Sequence, residues 1–322
     1  MNTDQIMYLI FGFVIIMALV FDLGLISKKN KKISIRQAFY QTLFWVSLAL
    51  AFFIFMWFYD SQVAALEYIS AYLMEWSLSI DNVFVFIIIF SAFSISANNY
   101  GRVLLIGILL AIVFRVIFIT VGVALVEHFH WILYVFGAFL VYTGYKMFVS
   151  TEEQEFDPKN SKIYRMISKV LPMTQHSGDG KFMIRENGKR VYTTLFVVVI
   201  LLAATDLVFA LDSIPAVLGI SRNKMVIYTS NIFALLGLRS LFFLLRRAIS
   251  KFDYLQQGIA IVLVFIGLKM LLENWINPYI EKTSQVLISL VVILICLSGA
   301  VLYSMLFQKK GEPKEVGDEE EN

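Results

Sequence analysis

Two short stretches of this sequence place carboxylates inside runs apolar enough to lie in a bilayer. In EWSLSIDNVFV, residues 75–85, Glu75 and Asp81 stand six residues apart. In ATDLVFALDSIPAV, residues 204–217, Asp206 and Asp212 repeat that step, and each second acid is followed by a small amide or hydroxyl residue, Asn82 or Ser213. Acids at membrane depth are costly to insert, so a duplicated pair points to function.

The rest of the chain supplies the membrane. Its 322 residues are 59% hydrophobic and only 16% charged, which predicts an all-α polytopic membrane protein. Runs long enough to cross a hydrocarbon core of about 30 Å fall at 6–26, 38–58, 67–93, 102–126, 131–149, 192–218, 226–245, 255–275 and 283–307, nine spans in all. The first is read as an uncleaved span, because MNTDQ has no basic region and no small-residue cleavage pattern follows. Basic residues cluster after spans one (Lys28, Lys29, Lys31, Lys32, Arg36), three (Arg102) and seven (Arg246, Arg247, Lys251), and in the 150–191 loop and the tail. The positive-inside rule then puts the N-terminus outside and the C-terminus in the cytoplasm, in the inner (plasma) membrane, with Arg222 and Lys224 dissenting in a short outer loop.

Some chemistries are disfavoured at once. One cysteine, Cys296, allows neither a disulfide framework nor a thiolate cluster and reads as a small buried residue. His128, His130 and His176 read as polar loop residues rather than ligands, and the net charge of +3 implies no nucleic-acid partner. Asp22 and Glu127 are expected to face water. In the 150–191 loop, Ile163, Met166, Ile167, Val170 and Leu171 recur at helical spacing, predicting a surface helix, and Asn187-Gly188 between alternating runs predicts a two-residue hairpin. The tail, GDEEEN, reads as solvated.

The acid motifs belong to a larger repeat. Arg115 and Arg239 stand in mid-span, eight residues after Gly107 and Asn231, and LVYTGYKM (140–147) returns as LVFIGLKM (263–270). Spans three to five and six to eight thus repeat as three-helix units. Three is odd, so the units run in opposite directions, the inverted-repeat architecture that places a substrate site at the midplane. The resulting division is 1–66, two peripheral helices; 67–149, the first unit; 150–191, the cytoplasmic loop; 192–275, the second unit; and 276–322, the last helix and tail.

Six residues of regular helix rise about 9 Å and turn about 120° from alignment, so two acids at that step cannot hold one ion from an unbroken helix. Either the helix breaks, for which Pro215 in the second copy is the candidate, or the acids form two layers. The oxygen donors Glu75, Asp81, Asn82, Asp206, Asp212 and Ser213, with Ser79, Arg115, Asn231 and Arg239 tuning their charge, suit manganese, magnesium or calcium better than zinc or copper. Four acids and two arginines leave a formal −2, which a divalent cation would neutralise. Expelling such an ion against an inside-negative potential costs about 4.6 kcal/mol per 100 mV, so export needs a coupled flow, and protons exchanging on the same carboxylates would supply it. Two other classes compete: a scaffold protein of stress resistance, with structural acids, and an intramembrane di-aspartyl hydrolase, ranked below it because each acid stands in a matched pair beside Ser or Asn. No enzymatic activity is expected.

At SLSIDNVFVF, WILYVFGAFLVYTGYKMF, DLVFALDSIPAV and SNIFALLGLR the chain resembles the TerC family, the tellurium-resistance-associated membrane proteins that include the Alx type. The resemblance covers nearly the whole length. It implies export of manganese or another divalent metal as cargo, with no permanently bound cofactor, and with Asp81, Asp212 and their neighbours lining the path. Two positions depart from the pattern: Trp76 where members often carry lysine, and Ala203 where they carry glutamate. Direct transport of tellurite is not expected, because an acid-lined path has the wrong sign for an anion.

Overall fold

The computed structural model describes residues 9–17, 20, 34–149, 164–166, 172, 174, 180–186, 189–246 and 254–306, apart from the side chains of Asp81, Phe84 and Leu255. Helices dominate: α1 (Ile35–Tyr59), α2 (Gln62–Ala92), α3 (Ala97–His128), α4 (Ile132–Val149), α5 (Thr194–Ile220), α6 (Lys224–Leu245), α7 (Leu255–Leu271), α8 (Glu273–Ile276) and α9 (Lys282–Leu306). The fold is that of an all-α polytopic membrane protein. Among the described residues seven helices are long and apolar enough to cross a bilayer, against nine spans expected. About half of the first expected span lies outside the described residues, although 9–17 are helical and Phe11 packs on Phe52 and Phe233 at ring separations of 5.8 and 5.6 Å. The eighth is shorter than expected: α7 has 17 residues, and the chain breaks step at Leu272 before the single turn of α8.

The helix starts are written locally. Ser34, Ser61 and Asn223 cap α1, α2 and α6, each side-chain oxygen accepting from a backbone N–H of the first turn. Inside the helices, most buried hydroxyls fold onto their own backbone: Ser70 donates to the Leu66 carbonyl, Ser77 to Met74, Thr205 to Leu201, Thr229 to Met225 and Ser240 to Gly237. This satisfies them without a partner helix, as a medium free of water requires.

A core of α2, α3, α5 and α6 forms the centre, with α2 packed on α6 and α3 on α5. The other close pair is α4 with α7, outside the core, while α1 lies against α6 and α2, and α9 against α7 and α2. Exchanging α2–α3–α4 with α5–α6–α7 turns the α2–α6 pair into the α3–α5 pair and leaves the α4–α7 pair as it is. The α4–α7 seam is antiparallel and closes on glycine: a Cβ on Gly144 would lie 2.7 Å from the Ala260 carbonyl oxygen, and one on Gly267 would lie 2.7 Å from that of Gly137.

Between α4 and α5, β1 (Met183–Glu186) and β2 (Lys189–Tyr192) pair antiparallel with Glu186 opposite Lys189, leaving two residues to connect them. That is the hairpin expected from the sequence, although its turn residues 187 and 188, like most of the expected surface helix and the acidic tail, lie outside the described residues.

Candidate functional site

Two contacts set the register of α2 against α5. Ser221 meets Glu67 near one end, and the Asn82 amide donates at 3.5 Å to Asp206 Oδ1 near the middle, so the helices run antiparallel. In that register the backbone of Glu75 is level with Ser213, next to Asp212, and the backbone of Asp81 is level with a position adjacent to Asp206. The acids therefore stand in two layers, the second alternative read from the sequence. The first does not occur: α5 continues through Pro215 to Ile220 without a break. With buried neighbours on both sides of the proline, the packed core holds the helix through the missing amide donor.

Arg115 of α3 joins the layers. Its guanidinium pairs with Glu75 Oε1 through Nη1 and donates from Nη2 to Asp206 Oδ1 at 2.9 Å. Nη1 also reaches Asn231 Oδ1 at 3.4 Å. The Asn231 amide is turned the right way for this, because its Nδ2 donates to the Ile227 carbonyl at 2.8 Å. Glu75, Arg115 and Asp206 are each only 1% exposed, so one acid from each half of the core is locked to one arginine away from solvent. A buried ion triad of this kind is worth little net stability but is costly to leave half-made.

The six-residue step acts as the helix geometry dictates. Glu75, Ser79 and Asn82 share one buried face of α2, and Asp206 and Ser213 share one of α5. Asp212 points elsewhere: it is partly exposed and lies beside the Thr143 hydroxyl of α4 rather than joining the arginine. Asp81 stands on α2, but its side chain lies outside the described atoms. Arg239 is buried on α6, 4% exposed. Among the described residues no group of three or more His, Cys, Asp or Glu converges as a metal cluster.

The acid faces nevertheless carry polar atoms without partners. The Oγ atoms of Ser79 and Ser213, Glu75 Oε2 and Arg115 Nε are buried and make no hydrogen bond. Ser79 and Ser213 depart from the habit of most buried hydroxyls, which bond their own helix. Three of these four atoms are oxygens, the donor type a hard cation takes.

Several polar residues took on partners that sequence reasoning missed. Glu127 faces water as expected, 54% exposed, and there pairs with Lys224 at 2.9 Å, while Arg222 pairs with Glu273 at 2.5 Å, so both cations that dissent from the charge rule are matched by acids. Glu67 is 2% exposed, joined to Ser221 and to Lys282. Only its spacing, eight residues before Glu75, could have flagged it. His128 ends α3 and bonds the Ala124 carbonyl, Cys296 is a free, half-buried thiol, and Trp76 packs beside the core while Ala203 is fully buried.

The whole sequence is similar to known membrane proteins. The sequence is 38% identical over 309 residues to an uncharacterized membrane protein of Myxococcus xanthus, covering 95% of this chain and 94% of that one. It is 41% identical over 269 residues to a membrane protein of Rickettsia felis, covering 84% and 89%. It is 36% identical over 322 residues to Alx of Escherichia coli K12, named as a proposed membrane-bound redox modulator, covering 97% and 100%. No solved structure matches. Residues 60–312 match the integral membrane protein TerC family, and the chain belongs to that family.

Proposed function

We propose that this multi-pass membrane protein exports a hard divalent cation, manganese foremost, across the inner membrane in exchange for protons, with its N-terminus outside and C-terminus cytoplasmic. The observation that carries the reading is the Glu75–Arg115–Asp206 triad, in which acids from the two halves meet one buried arginine on faces that also hold unbonded hydroxyls. Arg115 acts as a tethered cation: cargo entering between the acids displaces it, so the empty site never presents two bare carboxylates. The exchange of helix pairings between α2–α3–α4 and α5–α6–α7 supports an inverted repeat around that site. Asp81 and Asp212 extend the path on either side.

The test is cell manganese content in a strain lacking its own exporters, comparing wild type with Asp81→Asn and Asp206→Asn at equal membrane level. The reading requires wild type to lower manganese and both variants to fail; unchanged metal in wild type overturns it. Proton coupling is checked in everted vesicles, where uptake indifferent to an imposed pH gradient rejects it.

A second reading, a scaffold in stress resistance, draws on the same triad, since an arginine joining two halves is also a pin. Under it, Asp206→Asn lowers membrane level or partner capture while metal content never depends on the protein.

A further inference from the structure

A second polar cluster lies at the ends of α2, α5, α7 and α9, about 12 Å along α2 from Glu75. Its centre is Glu67, a carboxylate 2% exposed in a helix whose neighbours there are Ala64, Ala65 and Tyr68. One oxygen, Oε2, accepts from the Ser221 hydroxyl. That hydroxyl is itself fixed, accepting from the Asn223 N–H at 3.0 Å in the turn into α6. The other oxygen, Oε1, makes no hydrogen bond and faces the Lys282 ammonium at 3.1 Å, near enough for attraction but not aligned to donate.

The two partners differ in kind. Ser221 is buried and held by backbone, whereas the Lys282 side chain is 72% exposed at the first turn of α9. Lys269 is engaged elsewhere, donating to Ser289 at 3.0 Å, although it lies within Coulombic reach of Glu67. Glu273 is held by Arg222. Thus the buried carboxylate has a rigid partner on one side and, on the other, a solvated cation on a flexible stem that can swing away at little cost.

We infer that Glu67 and Ser221 form a second site for a hard divalent cation, on the route between the central acids and the outer surface, with the Lys282 ammonium occupying it when no ion is present. The site repeats at the membrane edge the device at its centre, a protein cation standing where cargo will stand. The identity of the ion rests on the export reading; the site itself does not. A carboxylate oxygen free of hydrogen bonds next to a hydroxyl oxygen offers two hard ligands, and water completes the shell at this edge, as is common for such ions.

Manganese binding to the purified full-length protein tests this by equilibrium dialysis, with wild type, Lys282→Gln, Lys282→Arg, Glu67→Gln and the Lys282→Gln/Glu67→Gln double variant. Removing the competing charge should tighten one class of site about tenfold, the order a partly screened neighbouring charge supplies. Lys282→Arg, which keeps the charge, should bind as wild type does, and Glu67→Gln should abolish the gain in the double variant. The inference is overturned if Lys282→Gln binds no better than wild type, or if the gain survives loss of Glu67. Monodisperse gel filtration of each variant guards against misfolding. Cellular export is scored separately: a Glu67-dependent gain without export leaves the site standing and the export reading failed, and export without the gain does the reverse.

Discussion

Gly144 and Ala260 approach so closely that a methyl group on the glycine would sit 2.7 Å from the alanine carbonyl oxygen. Gly267 and Gly137 repeat the relationship on the same seam, so two backbone-to-backbone contacts fix α4 against α7. Small residues permit such approach where lipid supplies no hydrophobic drive between helices.

Gly144→Ala should therefore lower thermal stability, since overpacking a close seam costs about 1–3 kcal/mol. Gly299, with nothing within 4 Å of its position for a Cβ, is the control: Gly299→Ala should be neutral or stabilising, because alanine favours helix. Melting curves of the two detergent-purified variants check this, and equal shifts would remove the seam from the account of stability.

Arg115→Gln leaves Glu75 and Asp206 buried without compensation, a change of about 3–5 kcal/mol in comparable buried pairs. Membrane level should fall sharply. Neutralising both acids in the same chain, Arg115→Gln with Glu75→Gln and Asp206→Asn, should recover level on fluorescence-detected gel filtration while manganese export stays lost. Recovery of export as well would show that the triad serves only assembly.

Thr143→Val removes the hydroxyl that lies beside Asp212, at a cost of at most about 1 kcal/mol. Because Asp212 keeps partial exposure, the protein should still reach the membrane at normal level. Export kinetics in vesicles should change through the apparent KM for manganese; unchanged kinetics in both Thr143→Val and Asp212→Asn would take Asp212 off the path.

The β1–β2 hairpin should loosen in Arg102→Ala. Arg102 donates to the Gly180 carbonyl at 2.9 Å and lies 4.7 Å from the centre of the Phe182 ring, contacts worth about 1–2 kcal/mol together. Hydrogen–deuterium exchange over 181–192 should rise in the variant while α3 itself stays protected. Protection unchanged in the hairpin would assign its docking to Thr193, which bonds Lys181 and Phe182.

Most of the helical spans and the hairpin were legible because periodicity, caps and turn residues are local, whereas the repeat marked Glu75 and Asp206 as counterparts without showing that one arginine would join them. What was not legible depended on distant partners. Asp212 turns to Thr143 of another helix, and Glu67 is buried only because α5 and α9 end over it. Pro215 read as a break because its amide is missing, yet packing from neighbouring helices keeps α5 whole.

Helix α6 is buried on nearly every side and carries Asn231 and Arg239 at depth. Such a segment is a poor candidate to rest alone in lipid as it leaves the insertion machinery, since its polar side chains would meet hydrocarbon. The partners that shelter it, α1, α2 and α3, are all synthesised earlier. The order of the helices along the chain is thus also an order of assembly: a receiving cleft is made first, α6 enters it as it is translated, and α7 and α9 join a core already formed.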